Sequence, residues 1–277
     1  MSRTYPPYSV LLPVYHRDNP ADLRESIESM LAQTIAPSDF VIVCDGPLTD
    51  ELDRLLNDVS RLADVIRVLR LPENRGLGIA LSAGLDMCLH ELVARMDADD
   101  IAVPDRARLQ LDCFLDNPGV DIVSGAVEEF QSEPRDLSQA RRLPETHDEL
   151  VRFAKMRNPF NHPCVMYKKS SVIRAGGYQD FFRLEDYFLW VRMLQNGSQG
   201  MNSPDVLLHM RIGNGMYRRR SGMQYARSQA GLLGYMRRTN FITVREFFKG
   251  LAIRIPMSLV PDRARKFAFE RVLRVRP

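Results

Sequence analysis

The sequence predicts an α/β fold: a mainly parallel sheet flanked by helices, with a helical extension at its C-terminus. Three observations lead there. Compact apolar runs ending at turn residues alternate with segments of helical periodicity over residues 8–130. Three carboxylates follow one of those runs directly, at the edge where open α/β sheets bind ligands. Beyond Tyr217 the pattern turns helical and basic.

The elements follow in order. Residues 8–14 (YSVLLPV) and 39–44 (DFVIVC) read as strands buried on both faces, as parallel sheets require. Between them Leu23, Ile27, Met30 and Leu31 recur at the spacing of a helix laid on that sheet. A second helix is predicted over 51–62, a strand over 65–71, a helix over 78–90 despite Gly84, and a strand over 92–96. This alternation argues for a right-handed doubly wound unit. A helix over 106–117 stops near Pro118 and Gly119, before a strand at 120–130. Residues 131–147 read as a charged loop, 147–157 as a helix, and 158–170 (NPFNHPCVMYKKS) as irregular. Helices are predicted over 221–239 and 243–255, with a short amphipathic piece over 264–276.

Composition narrows the class. With 277 residues, 45% hydrophobic and 26% charged, the chain is a globular domain with an appendage rather than a disordered chain. Cys44, Cys88, Cys113 and Cys164 stand singly, which excludes paired zinc ligands or a disulfide framework and fits a reducing cytoplasm. The apolar segment before Pro13 is too short for a signal peptide, and no window reaches the roughly 18 apolar residues of a spanning helix. From Arg211 onward there are 16 Lys and Arg against 3 Asp and Glu, and before it 22 against 32. A basic end of this kind meets anionic partners, and the expectation is a cytoplasmic protein peripheral on the inner face of the membrane. Nucleic acid is not an expected partner, because no recognition module accompanies the charge.

The run VARMDADD delivers Asp97, Asp99 and Asp100 within four positions. If the strand reaches Asp97, alternation points Asp97 and Asp99 the same way. Two hard oxygen donors so placed suit Mg²⁺ or Mn²⁺ with a bound diphosphate. The alternative is an acidic turn in which Asp100 caps the next helix. A helix-loop-helix calcium site is excluded, since Ile101 and Ala102 follow the acids.

Other candidates sit on the same edge. Pro13 and Tyr15 end the first strand; Asp45 and Gly46 end the second, where an acid can accept from a ribose or base N–H and an aromatic can stack on the base. Arg75 lies beside Gly76 and Gly78 just before a helix, as a diphosphate clamp would, or as a surface residue of a glycine-relieved turn. Glu185 and Asp186 head an apolar helix after Gly176 and Gly177; they cap it, or one serves as a general base. Trp190 on that helix reads as core.

In this order, PVY, CDG, ENRGLG, MDADD and GGY followed by LEDYFLW resemble the family 2 glycosyltransferases of the Rossmann-like GT-A fold, which invert configuration and use nucleotide sugars. The segments NPFNHPCVMYKKS and MRIGNGMYRRRSG further resemble bacterial members that build capsule, exopolysaccharide or O-antigen, including amylovoran-type enzymes. The resemblance implies a glycosyltransferase domain over 1–222, with a nucleotide half over 1–130 and an acceptor half over 131–222, and a basic helical extension over 223–277. It implies that Pro13 and Tyr15 flank the uracil, Asp45 bonds the base or ribose, and Arg75 approaches the nucleotide. It also implies that Asp97 lies near the ribose, Asp99 ligates the Mn²⁺ or Mg²⁺, Asp186 is the catalytic base, and Glu185 lies near the acceptor. Relatives often carry a His where Gly213 stands, and His209 four residues upstream is no assured replacement. Arg219 and Arg220 are the alternative contacts to the diphosphate, and His162 is a candidate on the acceptor side or a structural His. The implied partners are a nucleotide-sugar donor, UDP-linked by family habit, a glycan or lipid-linked acceptor, and an anionic membrane surface. Two rivals are a non-catalytic subunit that binds nucleotide sugar or membrane, and a sugar nucleotidyltransferase. The second lacks its Gly-rich basic loop, because PVYHRDN follows the first strand.

Overall fold

The computed structural model describes residues 3–137, 139–213 and 221–260. The chain begins with β1 (Tyr8–Val14), α1 (Pro20–Leu31), β2 (Asp39–Cys44), α2 (Asp50–Leu62), β3 (Ile66–Arg70), α3 (Leu77–Met87) and β4 (Leu92–Arg95). Two-residue β5 (Ile101–Ala102), α4 (Arg106–Asp116) and β6 (Val120–Phe130) follow. Then come β7 (Gln139–Arg141), α5 (His147–Ala154), β8 (Met166–Lys168), α6 (Lys169–Arg174), α7 (Glu185–Gln195) and β9 (Gln199–Arg211). Helices α8 (Met223–Arg238) and α9 (Val244–Leu259) complete the described chain.

The sheet runs β3-β2-β1-β4-β8-β6-β9-β5, with β7 on β6. The first four strands are parallel. Short β8 enters antiparallel between β4 and β6, and β6 and β9 run parallel to each other. Since β8 opposes both neighbours, β4, β6 and β9 all finish at one edge, which gathers the chain after Arg95, Phe130 and Arg211.

Alternation along the strands builds a core on each face. Val10, Leu12 and Val14 with Phe40 and Ile42 pack against Leu23, Ile27 and Met30 of α1, while Leu11, Val41 and Val43 face Ala80, Leu81 and Leu85 of α3. Trp190 lies wholly within the second core, edge-on to Phe160 and His162. A third cluster joins Leu184, Tyr187, Phe188 and Val191 of the α7 region to Leu232, Leu233 and Met236 of α8. The C-terminal helices are therefore seated on the helix that carries Glu185 and Asp186.

Strand positions 8–14, 39–44 and 120–130 are as expected, and the helices shift by a few residues at their ends. Strand β9 was not anticipated; its bulged pairing with β6 shifts register between Gly125 and Ala126 and again between Ala126 and Val127. Nor did 158–170 read as containing a strand, yet Met166–Lys168 sits at the centre of the sheet. Three residues are too few to display a period of two. The expected loop over 131–147 holds β7, and the amphipathic piece over 264–276 lies outside the described residues.

Candidate active site

The site is assembled at the carboxyl edge of β1, β2 and β4. Buried Asp45, 6% exposed, accepts from the backbone N–H groups of Arg75 at 2.8 Å and Gly76 at 3.0 Å, tying the turn after β2 to the loop that opens α3. Gly46, at φ +85°, passes so close to this loop that a Cβ would lie 2.5 Å from Asn74 N, so only glycine fits. Pro13 is buried in β1 and Tyr15 is half-buried beyond its end, with its N–H bonded to Asp18 at 2.9 Å. Arg75 extends into solvent, its side chain 59% exposed. A Cβ on Gly78 would sit 2.6 Å from the carbonyl of Gln179, so a glycine at the start of α3 lets that helix touch the segment leading into α7.

At the tip of β4, carboxylate oxygens of Asp97, Asp99 and Asp100 all lie within 4.8 Å of one another. Pleat alternation is not what brings them together, because the strand ends at Arg95 and Ala98–Asp99 form a turn. Nor does Asp100 cap a helix: α4 begins at Arg106, and β5 intervenes. Its Oδ1 accepts from the Arg211 N–H at 2.9 Å, whereas its buried Oδ2 has no partner among the described residues. Burial, then repulsion from Asp99 and Asp97, pushes the Asp100 carboxyl well above the usual range. Hard oxygens crowded at that electrostatic cost match what a divalent cation accepts.

Three arginines that the sequence reading passed over shape the cluster. Arg95 is wholly buried and ion-paired to Asp97, while its Nε and Nη2 have no hydrogen-bond partner among the described residues. Burial alone would lower its pKa, but Asp97, Tyr178 and Asp100 outweigh that and leave it raised. Arg106, also buried, donates to the Arg95 carbonyl at 2.6 Å from beneath. Arg211, at the end of β9, donates from Nε to the Asp99 carbonyl at 3.1 Å and from Nη2 to Glu25 at 2.9 Å. A charged residue inside an apolar run, as Arg95 is in VARMD, was the available signal that a buried partner exists.

Across Arg95 stands the N-terminus of α7. Asp186 Oδ2 accepts from Asn158 Nδ2 at 2.6 Å and its Oδ1 from the Tyr187 N–H at 2.6 Å. Burial, then the charge of Asp186, pushes Glu185 up to about 7, while Arg183 and Arg95 oppose the shift. His162 Nε2 lies 3.2 Å from the Tyr178 hydroxyl, and burial, then the Arg95 charge, holds its ring well below the usual histidine range. The guanidinium of Arg95 is thus felt at once by Asp97, Asp100, Glu185 and His162. Asn158 was missed because an Asn before Pro reads as a turn residue.

Not every predicted residue joins this group. His209 lies 3.0 Å from Glu128 and is not part of the acidic cluster. Gly213 is exposed at φ +147°, and Arg219 and Arg220 lie outside the described residues.

The mixed, mostly parallel sheet flanked by helices, with an acidic cluster at the tip of β4, has the GT-A fold of glycosyltransferases. Residues 9–182 match glycosyl transferase family 2, and the chain belongs to that family. It is 36% identical over 274 residues to the UDP-Gal:alpha-D-GlcNAc-diphosphoundecaprenol beta-1,3-galactosyltransferase of Escherichia coli, covering 99% of each chain. Identity to the amylovoran biosynthesis glycosyltransferase AmsE of Erwinia amylovora is also 36%, over 95% of this chain and 98% of that one. Among solved structures, the mannosyltransferase PcManGT of Pyrobaculum calidifontis, in complex with GDP-Man and Mn²⁺, superposes with a TM-score of 0.66 at 18% identity, over 98% of this chain and 77% of that one, which shows a shared fold.

Proposed function

We propose that this glycosyltransferase moves a sugar from a nucleotide sugar, UDP-linked, to a hydroxyl of a lipid-linked oligosaccharide in cell-surface polysaccharide synthesis, with inversion at the anomeric carbon. The reading is carried by one observation, the buried Arg95 guanidinium flanked by the acidic triad on one side and the α7 carboxylates on the other. The names of the two relatives supply the donor and acceptor classes, a UDP-sugar with a diphosphoundecaprenol-linked sugar and a polysaccharide of the amylovoran type.

Asp99, with Asp97 and Asp100 beside it, would hold Mn²⁺ or Mg²⁺, which when bound neutralises charge on the departing diphosphate. A Mn²⁺-containing structure of the same fold supports that choice of ion class. Tyr15 stacks on the base, its ring being half open to solvent at the end of β1, and Pro13 fixes the strand end beneath it. Asp45 keeps lone pairs for a ribose or base donor while its loop bonds hold Arg75 over the diphosphate.

On the acceptor side Asp186 takes the hydroxyl proton, its carboxylate already oriented by Asn158 and the Tyr187 N–H. The deprotonated oxygen then attacks the anomeric carbon from the face opposite the diphosphate. Glu185, carrying its proton up to about pH 7, adds no second negative charge beside the base and donates a hydrogen bond to the acceptor. Neutral His162 contributes hydrogen bonding rather than charge.

The test incubates purified protein and Mn²⁺ with UDP-galactose, UDP-glucose or UDP-N-acetylglucosamine and a diphosphate-lipid-linked sugar, and assigns the new anomer by NMR. A β-linked product from an α-linked donor is expected. Retention of configuration would overturn inversion, and donor binding without transfer would restore the non-catalytic rival.

A further inference from the structure

We infer that the outer face of α9 is a docking surface for an anionic lipid bilayer, seated so that the bilayer lies one helix layer from Asp186. The inference rests on the proposed use of a lipid-linked acceptor. It follows from how the two sides of α9 are occupied.

The inner face is committed to protein. Arg254, 9% exposed, donates to the Tyr187 hydroxyl at 2.8 Å and faces Gln229 of α8 at 3.3 Å, and the Ser258 carbonyl accepts from the Gly222 N–H at 2.9 Å. Tyr187 follows Asp186 directly and donates its own hydroxyl to the Ala154 carbonyl at 2.7 Å. Displacement of α9 is therefore transmitted to the residue beside the base through hydrogen bonds of a buried guanidinium.

The outer face is apolar and bare. At about 100° per residue, Val244, Phe248, Ala252 and Leu259 fall on one stripe, and they are exposed, Phe248 by 64% and Leu259 by 50%. Arg245 and Lys249 lie along one side of the stripe, and Ile253, 48% exposed, lies beyond them. Apolar side chains in line with a basic border are what an interfacial helix presents to a bilayer of anionic headgroups.

The charge pattern decides between lipid and a second copy of the chain. From Val206 through Arg245 the sequence holds no Asp or Glu. The one acid of α9, Glu246, is held in the N-terminal capping box with Thr243 and lies 3.3 Å from Lys155. A symmetric dimer through this stripe would bring two basic edges into one interface, with Glu246, the acid of α9, already engaged by Thr243 and Lys155. A phosphate-rich surface offsets them at once. Packed helices stand about 10 Å apart, so a headgroup surface against the outer face of α9 lies little more than one helix spacing from α7.

The experiment is vesicle flotation of the full chain, using phosphatidylcholine alone and a 7:3 phosphatidylcholine–phosphatidylglycerol mixture. Wild type is expected to float with the anionic vesicles and to be released by high salt. The F248E/L259E double variant is expected to lose at least about tenfold in partitioning, whereas L89E, at an exposed leucine on the opposite edge of the sheet, is expected to float like wild type. Thermal melting reports whether each variant folds, and should F248E/L259E not fold, V244S/F248S is read in its place. Equal flotation of the variant overturns the inference, as does wild type that stays with the pellet. A wild-type mass twice that of F248E/L259E in solution assigns the face to a second copy instead. Transfer to a short-chain, water-soluble acceptor separates the two levels. If it persists without flotation, only the surface fails; if flotation persists without transfer to any acceptor, only the catalytic reading fails.

Discussion

Glu185→Gln tests the electrostatics of the site without touching its metal ligands. In the folded chain the Glu185 carboxyl titrates at about 7, against 4.5 for an ordinary glutamate, because it is buried beside Asp186. The folded state therefore binds the proton more tightly than the unfolded state, so this group stabilises the fold fully below the lower value and loses that contribution as pH rises through the upper one. A gap of about 2.5 units corresponds to at most about 3 kcal/mol, most of it lost between about pH 5 and pH 8. Glutamine is isosteric, neutral at every pH and free of this loss. Urea unfolding in chelator-treated buffer at half-unit steps should show Glu185→Gln gaining on wild type by up to about 3 kcal/mol across that window. Groups remote from Glu185 titrate alike in both proteins and cancel, which leaves Glu185 and its coupling to Asp186 in the difference. A difference constant to within about 0.5 kcal/mol from pH 5 to pH 8 would refute the assignment.

The remaining expectations concern turnover and binding. Asp186→Asn should lower transfer at least about a thousandfold while calorimetry finds donor affinity unchanged; appreciable turnover removes Asp186 as the base. Asp99→Ala should abolish the extra thermal stabilisation that a nucleotide sugar confers in Mn²⁺ over that in chelator, and a shift equal to wild type places the ion elsewhere. Asn158→Ala removes the 2.6 Å amide donor to Asp186, so kcat should fall about tenfold or more at nearly constant KM and the acidic limb of the pH profile should move upward, since that donor favours the ionised carboxylate. An unmoved acidic limb would mean that Asn158 serves packing alone.

Legibility in the sequence followed the range of the interactions. Strands β1 and β2 were readable because each is built on a short apolar run whose burial is its own cause, and β6 because its Val, Ile and Ala residues follow the stop at Pro118 and Gly119. Asp97, Asp99, Glu185 and Asp186 were readable as candidates because carboxylates after apolar runs lie at element ends. Strand β8 was not, since three residues in the middle of the sheet owe their conformation to β4 and β6 on either side. β9 was not, since its polar start is accommodated by the register shifts against β6. The same limit hid Asn158 and Arg211, whose significance depends on partners 28 and 111 residues away. That Asp97 and Asp99 point the same way was expected from the pleat of a strand; a turn braced by Arg211 gathers them instead, together with Asp100.

The brace also explains why the site needs the whole sheet. Parallel β4 delivers the acids to the ligand edge, but a parallel strand alone leaves them mutually repelling on a flexible end. Antiparallel β8 turns the chain round, so that β9 ends at the same edge and Arg211 reaches the Asp99 carbonyl and the Asp100 carboxylate together. From the other side β8 is preceded by the segment that places Asn158 on Asp186 and His162 beside Tyr178. The segment carrying β8 thus bears both on the strand that leads to the acids and on the carboxylates of α7, and the charge of buried Arg95 acts on both groups. That guanidinium pairs with Asp97 and is felt by Glu185, at a position wholly shielded from water, where its charge is least screened.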